Sequence, residues 1–341
     1  GKEKELTVID GADRIVTVKK PIKRIVILAP PIADGIRVLD ATDKVVGVSS
    51  TVMMGSREAF FPEFSKLPRV GDLMNPDIEA ILNLNPDLVI TYGGFFVQKL
   101  DKLPDSIPVA GFFFNSPIGF QSESLAKESI LEEMEKLGYI LDKKEEAKEY
   151  ADWEEGYIIR INERISGLSK DEKPRIYIEG PHNKYQTYNR NSASHPCILL
   201  AGGRNIAADL PSPGKGFPQI DPEWVIEQNP DIIIKKPMWG VDGYGVDDPY
   251  EMITTRKEIL NRPELANINA VKNKRVYVLG CDILMCPSYP VGFAYLAKWF
   301  HPDLFKDLEQ RAIHQEYLDR FHKDLNFDVY EHGVFAYPEP S

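Results

Sequence analysis

Short apolar runs that end in turn residues alternate with stretches of helical periodicity over the first 110 residues. The runs at residues 24–29, 44–48, 87–91 and 107–110 predict strands, and residues 32–39 and 77–84 predict helices. Continuous apolar runs are typical of strands that are buried on both faces, which are usually parallel. This part of the chain is therefore predicted to be a parallel sheet with helices on its faces.

The middle of the chain has a different pattern. Between residues 122 and 168 apolar and aromatic positions recur at helical spacing among many charges, without a strand signal. We interpret this stretch as a helical connector between two domains. The alternation then resumes, with strands predicted at 175–179, 231–234 and 275–279 and helices at 196–201, 222–228, 289–300 and 302–321.

The two halves share a sequence feature that indicates duplication. A predicted helix at 77–84 leads through Asn85-Pro86-Asp87 into a buried strand, and a predicted helix at 222–228 leads through Asn229-Pro230-Asp231 into another. Proline ends a helix because it lacks an amide hydrogen and crowds the preceding turn. The same arrangement in both halves predicts a repeated α/β unit.

Length, charge and cysteine content narrow the possible functions. A chain of 341 residues suits two domains, and its net charge of -11 argues against general nucleic-acid binding. No apolar run reaches the 18 residues that a membrane-spanning helix needs. The polar start could be the trimmed end of an exported protein. Cys281 and Cys286 could form a disulfide or bind a soft metal, but with Cys197 they are more simply free thiols.

An ordered series of motifs resembles the periplasmic binding proteins that serve importers of iron-siderophores, haem and cobalamin. The first half contributes residues 23–28, 43–48 and 67–79, and the second contributes 199–207, 218–223 and 271–277. The resemblance covers about residues 6–305. The insertion at 237–252 and the tail after about residue 307 are not part of the family's pattern.

The resemblance implies the fold and the function. It implies two Rossmann-like α/β lobes with mainly parallel sheets, spanning residues 1–140 and 171–341, joined by a single long helix at 141–170. It also implies an extracytoplasmic monomer that captures a metal chelate (a ferric siderophore, haem or a corrinoid) in the interlobe cleft. The chelate would then pass to the permease subunits of an ABC importer. No enzymatic activity and no cofactor are expected.

Ligand contacts are expected in the loops that follow the strands, because ligands of open parallel sheets bind beyond the carboxyl ends of the strands. Aromatic side chains there can pack on an organic chelator, while cations meet its carboxylates. Each residue could instead serve only in packing or on a solvated loop. The candidates are Met53, Arg57, Tyr92, Phe95, Tyr185, Tyr188, Arg190, Lys215, Trp239, Tyr244 and Tyr289.

A directly bound metal ion is a weaker hypothesis, because direct sites need several converging His, Cys or carboxylate groups. Of the six histidines, only His182 and His195 fall in candidate loops. His182 could act as an axial ligand to the iron of haem or the cobalt of a corrinoid, with a solvated loop histidine as the simpler alternative. Tyr289 or Cys281 could likewise act as a metal ligand.

Two glutamates have a different expected role. The resemblance implies that an acidic residue on each lobe docks on basic residues of the membrane subunits. Glu79 and Glu223 fall on that position, early in the repeated helices. A glutamate there is also favourable through the helix dipole alone.

Two other classes of function are compatible with a two-lobed α/β chain. One is an enzyme or a metallocluster- or chelate-processing protein on a related scaffold, which would need converging acid-base groups or metal ligands. The other is a sensor lobe that reports ligand to a membrane partner. Neighbouring permease and ATPase genes would favour the carrier.

Overall fold

The computed structural model describes residues 4–117, 128–212 and 216–341, which form two compact units. The N-terminal unit comprises Gly1–Glu154, Met285–Pro287 and Tyr317–Asn326, and the C-terminal unit comprises Glu155–Leu284, Ser288–Glu316 and Phe327–Ser341. The predicted site residue Lys215 and residues 122–127 of the predicted connector lie outside the described residues.

Each unit contains a sheet that is wholly or mainly parallel. In the N-terminal unit the strand order is β4-β3-β5-β6, all parallel, beside an antiparallel β1-β2 hairpin; in the C-terminal unit it is β11-β10-β9-β7-β8, with only β11 antiparallel. The strands are β1 Lys4–Ile9, β2 Ile15–Lys20, β3 Ile25–Ile27, β4 Val45–Val48, β5 Leu88–Tyr92, β6 Val109–Phe112, β7 Arg175–Glu179, β8 Arg204–Asn205, β9 Ile232–Lys235, β10 Val276–Leu279 and β11 Ala336–Tyr337.

Helices connect the strands, and 3-10 turns are found at Thr42–Lys44, Pro62–Phe64, Lys170–Glu172, Pro263–Leu265, Cys281–Ile283 and Lys323–Leu325. The α-helices are α1 Pro30–Val38, α2 Arg57–Phe60, α3 Ile78–Leu84, α4 Phe95–Gln98, α5 Ile130–Ile140, α6 Lys144–Ile165, α7 Ser194–Leu200, α8 Pro222–Gln228, α9 Tyr250–Leu260, α10 Asn269–Lys272, α11 Tyr289–Phe300 and α12 Gln310–Phe321. Within the described ranges, none of them combines the length and the apolar character that crossing a bilayer requires.

The predicted α/β class is confirmed. The central strands β3, β5 and β9 are buried along nearly their whole length, as continuous apolar runs predict. The helical middle is present as α5 and α6, and α6 begins in the N-terminal unit and ends in the C-terminal one. The helix predicted at 302–321 begins only at Gln310, because the residues before it form turns that bury Phe305 and Leu308.

The duplicated turn has the same atomic construction in both units. Asn85 and Asn229 end α3 and α8 in the left-handed conformation, with φ of 43° and 44°. In the N-terminal unit the guanidinium of Arg24 donates to Leu84 O at 2.6 Å, and Asp87 accepts from the amide of Arg24 at 2.9 Å.

In the C-terminal unit Arg175 donates to Gln228 O at 2.8 Å, and Asp231 accepts from the amide of Arg175 at 2.8 Å. Arg24, just before β3, and Arg175, the first residue of β7, thus satisfy carbonyls at the ends of the two helices, which otherwise lack partners. This correspondence supports the predicted repeat.

Residues of the C-terminal tail complete the core of the N-terminal unit. Tyr317 donates its hydroxyl hydrogen to the buried Asp34 of α1 at 2.7 Å, and His322 lies 3.0 Å from the same carboxylate. Burial lowers the pKa of His322, against the effect of Asp34. Arg37 contacts His322 at 3.1 Å and pairs with Glu63 at 2.7 Å.

A buried carboxyl group supports the chain after β6. Glu133 of α5 is fully buried and accepts hydrogen bonds from the amides of Phe113 and Phe114 at 2.7 and 2.5 Å. Burial raises its pKa to about 8, because the two amides and Lys136 only partly offset the loss of hydration and the nearby Glu128.

Glu133 therefore makes the stability of the protein depend on pH. Between pH 4.5 and about 8 the folded chain retains a proton that the unfolded chain releases. The contribution of Glu133 to the free energy of unfolding is thus complete below pH 4.5 and falls by at most about 1.4 kcal/mol per pH unit as pH rises to 8.

We expect Glu133→Gln to flatten this decline in the free energy of unfolding, measured by urea unfolding at pH 5, 6.5 and 8. The exposed Glu135→Gln is the control, and an unchanged slope in Glu133→Gln would contradict the assignment.

Candidate functional site

The carboxyl end of β5 in the N-terminal unit has a cluster of aromatic side chains. The ring of Phe96 lies 5.6 Å from Tyr92 and 4.1 Å from Phe95, which is largely exposed. A side chain at Gly93 would overlap the ring of Phe113, since an added Cβ would lie 2.5 Å from it. The predicted candidates Tyr92 and Phe95 are thus brought together at one strand end.

Two further candidates in the N-terminal unit follow β4. Met53 and Arg57 are both buried, Arg57 as the first residue of α2. A buried guanidinium must be satisfied within the protein or by a ligand. The side chains of Met53 and Arg57 therefore lie in the protein interior and not on its solvent-exposed surface.

The carboxyl ends of β7 and β9 in the C-terminal unit are joined by a buried carboxylate. Glu179 has no exposed surface and accepts two hydrogen bonds from Arg262, at 2.6 and 2.8 Å, and one from Lys235 at 3.0 Å. The hydroxyl of Tyr177 and the amide of Tyr185 also donate to it, both at 3.1 Å.

These contacts determine the charge of the network. Burial alone would raise the pKa of Glu179, but Arg262 and Lys235 lower it by more. The net shift of this pKa is therefore downward, and Glu179 is ionised. Arg262 also forms an ion pair with Glu258. Partial burial raises the pKa of Glu258, but Arg262 and Lys184 together lower it to about 2. Lys235 and Arg262 are therefore neutralised within the protein.

The next residue, Lys236, lies in a separate polar cluster. Neighbouring residues of a strand point to opposite faces, and here they have different partners. Lys236 is 6% exposed; its ammonium donates to the hydroxyl of Ser194 at 2.7 Å and lies 4.3 Å from the ring centre of Tyr188. Tyr188 is itself buried and packs edge-on against the exposed Phe217 at 5.3 Å.

Lys236 carries its charge at neutral pH. Burial disfavours the ammonium, but interactions with Tyr188, Cys281 and Cys197 leave its pKa above the usual value. Burial raises the pKa of the Cys197 thiol to about 12. Within the described residues no disulfide joins the three cysteines, and Cys281 is half-buried and interacts with Lys236. The cluster combines one cation with hydroxyl groups, which suits an anionic ligand group.

The remaining candidates lie in other surroundings. Tyr185 is part of the Glu179 network: its hydroxyl contacts Glu264 at 2.5 Å and its ring lies 4.9 Å from the guanidinium of Arg262. Arg190 is exposed and pairs with Asp209 beside a groove formed by residues 189–191 and 208–212. His182 is exposed.

Three aromatic candidates differ in exposure. Trp239 is 60% exposed. Tyr244 is buried and bonded through its hydroxyl to His314 at 2.7 Å. Tyr289 is fully buried at the start of α11, and its hydroxyl has no hydrogen-bond partner in the part of the chain that the structure describes. Of the three, only Trp239 presents its ring to solvent.

A directly bound metal ion receives no support from side-chain geometry. In residues 4–117, 128–212 and 216–341, no three His, Cys, Asp or Glu side chains converge as metal ligands would. His195 is half-buried and contacts the amide of Asn205 at 3.2 Å, and burial lowers its pKa.

The two glutamates predicted to dock occupy equivalent positions. Glu79 is the second residue of α3 and Glu223 the second of α8, and both are exposed. One turn later each helix exposes an apolar residue, Leu82 or Ile226. Each unit therefore presents an acidic residue and an apolar residue on one helix face.

Sequence reasoning did not single out Lys236 or Ser194. The available signal was the Lys235-Lys236 pair at the end of an apolar strand, since such a pair must direct one ammonium to each face. Which of the two lysines is neutralised depends on Arg262 and Glu179, 83 positions apart.

Comparisons with known proteins agree with this architecture. The family profile of periplasmic binding proteins matches residues 25–282. The molybdate-binding protein MolA of Haemophilus influenzae is 26% identical over 336 residues, covering 93% of this chain and 90% of that protein. A vitamin B12-binding protein of Yersinia pestis is 24% identical over 215 residues, covering 62% and 69%. The crystal structure of the TroA-like periplasmic binding protein FepB from Veillonella parvula superposes with a TM-score of 0.78 and 25% identity, covering 97% and 99%.

Loss of Arg262 should destabilise the C-terminal unit strongly. Arg262→Met would leave Glu179 buried with Lys235 as its one ionic partner among the described residues, and breaking a buried pair costs about 3–5 kcal/mol. The measurement is the free energy of unfolding in urea. Arg256→Met is the control, because Arg256 donates only to the carbonyls of Val276 and Lys274, and its loss should cost about 1 kcal/mol. Equal effects of the two substitutions would contradict the assigned role.

Proposed function

The chain belongs to the periplasmic binding protein family, and we propose that it captures an anionic metal chelate as a monomer outside the cytoplasm. It is a substrate-binding protein of the kind that serves ABC importers. The chelates proposed are ferric siderophores, haem and corrinoids that bear acidic groups. The observation that carries the proposal is the buried ammonium of Lys236 at the carboxyl end of β9.

The chemistry of the Lys236 cluster supports an anionic ligand. Lys235 is bonded to Glu179 and Gly180, whereas Lys236 donates to the hydroxyl of Ser194 and lies against the ring of Tyr188. An ammonium group beside hydroxyl groups that can also donate hydrogen bonds suits an anionic group of a ligand. The exposed ring of Phe217, which packs on Tyr188 in the same unit, suits the organic part of a chelate.

The relatives support binding over catalysis. MolA is named for molybdate and the Yersinia protein for vitamin B12, and both are binding proteins rather than enzymes. A second candidate ligand is a bare oxyanion such as molybdate. The similarity to MolA favours this candidate, because that similarity extends over 93% of this chain. Lys236 and Ser194 could donate hydrogen bonds to oxyanion oxygens equally well.

A ligand screen by thermal unfolding distinguishes these candidates. The probes are ferric catecholate and hydroxamate siderophores, haemin, cyanocobalamin, and sodium molybdate, tungstate and sulfate. A ligand at a hundred times its Kd stabilises the folded state by about 2.7 kcal/mol. Lys236→Met should weaken the binding of the active probe by about 10- to 100-fold, since a charge-assisted hydrogen bond is lost.

The control for this substitution is Lys306→Met, which removes the same charge from an exposed position of the C-terminal unit. A chelate that binds the wild-type chain and requires Lys236 would support the proposal. Binding of molybdate alone would replace the chelate with the oxyanion. Unchanged affinity in Lys236→Met would contradict the role of this lysine.

Delivery is proposed to use the acidic helix faces of the two units. Glu79 and Glu223 are exposed at matching positions, and Leu82 and Ile226 accompany them. Carboxylates of this kind suit basic groups on the permease, and charge complementarity at an interface mainly sets specificity and association rate.

Reversing both charges should therefore separate delivery from capture. In Glu79→Lys/Glu223→Lys we expect the ligand Kd to change less than twofold and ligand-dependent uptake into proteoliposomes with the cognate permease and ATPase to fall at least about tenfold. Asp105→Lys/Asp303→Lys is the control, with one exposed acidic residue reversed in each unit. Normal uptake by the glutamate variant would exclude this docking mode.

A further inference from the structure

The insertion and the tail, which lie outside the family's sequence pattern, form a single structure in the C-terminal unit. We call residues 237–252 and 327–337 the insertion–tail element. Its two segments pair through Gly243 and Val334, whose amides donate to each other's carbonyls at 2.6 and 3.3 Å. Val334 also packs with Met252 and Val278 in a buried apolar cluster.

Side chains reinforce this pairing. The ring of Tyr244 packs edge-on against Phe327 and Phe335, with ring centres 5.1 and 4.8 Å apart. Asp247 of the insertion accepts from the amide of Gly333 at 3.0 Å and contacts His332 at 3.2 Å. The returning leg of the insertion is thereby fixed by the tail.

The insertion presents a short apolar tip directly after Lys236. Pro237 is buried, the next three residues including Met238 and Trp239 are exposed, and the chain is buried again at Gly243. Gly240 has a φ of +85°, the left-handed conformation that a tight turn requires. The outgoing leg is fixed by the amide of Lys236, which donates to Glu179 O at 3.0 Å.

We propose that Trp239 is a specificity-determining residue that packs on the flat organic surface of the ligand, and that the tail positions it. This inference rests on the proposed function and narrows its substrate class to chelates with a planar conjugated ring system. The occupant is the ligand because the tip follows the proposed ligand lysine, at the same end of the sheet, by only three positions.

The physical basis is preorganisation. An exposed tryptophan on a six-residue loop that is fixed at both ends offers a large ring at little further cost in conformational entropy. A conjugated ring can stack on the indole, whereas a tetrahedral oxyanion has no apolar face to cover it. Trp239 should therefore contribute to chelate binding and not to oxyanion binding.

Fluorine NMR of the protein labelled with 5-fluorotryptophan tests the contact. The chain has four tryptophans, and Trp153 and Trp299 are buried, so the Trp239 signal is assigned as the solvent-sensitive resonance that is lost in Trp239→Phe. The probes are diamagnetic: gallium catecholate and hydroxamate siderophores, zinc protoporphyrin, cyanocobalamin and molybdate. A bound conjugated chelate should shift the Trp239 resonance and reduce its solvent sensitivity.

Affinity measurements complete the test. Trp239→Ala should weaken binding of the active chelate by roughly tenfold, Trp239→Phe should retain most of the affinity, and molybdate binding should not change in either variant. For the positioning role, Asp247→Ala should weaken chelate binding several-fold and alter the Trp239 resonance of the free protein. Asp247→Asn, whose oxygen can still accept from Gly333, should rescue both. Asp248→Ala is the control.

The outcomes separate this inference from the proposed function. If a conjugated chelate binds and requires Lys236 but neither the Trp239 resonance nor the Trp239→Ala affinity changes, the inference is wrong and the proposed function stands. If only molybdate or the hydroxamate complex binds, or no probe binds, the conjugated-chelate assignment fails. If Trp239 responds but Asp247→Ala has no effect, the positioning role of the tail is wrong.

Discussion

The buried carboxylate of Glu179 determines the chemistry at the carboxyl end of the second sheet. It is inaccessible to water and must be ionised, so it requires the two cations Lys235 and Arg262. By fixing Lys235 on one face of β9 it leaves Lys236 on the other, beside Ser194 and Tyr188. Because Glu179 must be paired with cations, Lys235 has a structural role and Lys236 is left for the proposed ligand.

The repeated turn has a comparable role in the scaffold. Each unit ends a short helix at a left-handed asparagine, and an arginine at the start of a neighbouring strand, β3 or β7, bonds to the end of that helix. The arginine side chain donates to a helix carbonyl, and its backbone amide donates to the aspartate of the turn. The two Asn-Pro-Asp segments therefore form the same hydrogen-bonded turn in both units.

The sequence could predict most of the scaffold because strands β3, β5, β7, β9 and β10 are short runs of apolar residues between clear turn signals. The β1-β2 hairpin was not predicted, since its strands are largely exposed and carry many charges. The Lys236 cluster was not predicted either, because two adjacent lysines are equivalent in a sequence pattern. Their difference arises from Arg262, and the pairing of the insertion with the tail likewise joins Gly243 to Val334, far along the chain. Contacts between residues so far apart in the chain produce no local pattern in the sequence from which they could be predicted.

The packing of Tyr317 and His322 against Asp34 has a consequence for how the chain matures. Tyr317 follows Asp34 by 283 positions, and His322 lies further along the chain still. The N-terminal unit therefore completes this part of its core only after most of the C-terminal unit has been synthesised. Folding of the N-terminal unit thus depends on a segment that comes after the other unit in the sequence, so the two units do not fold strictly one after the other.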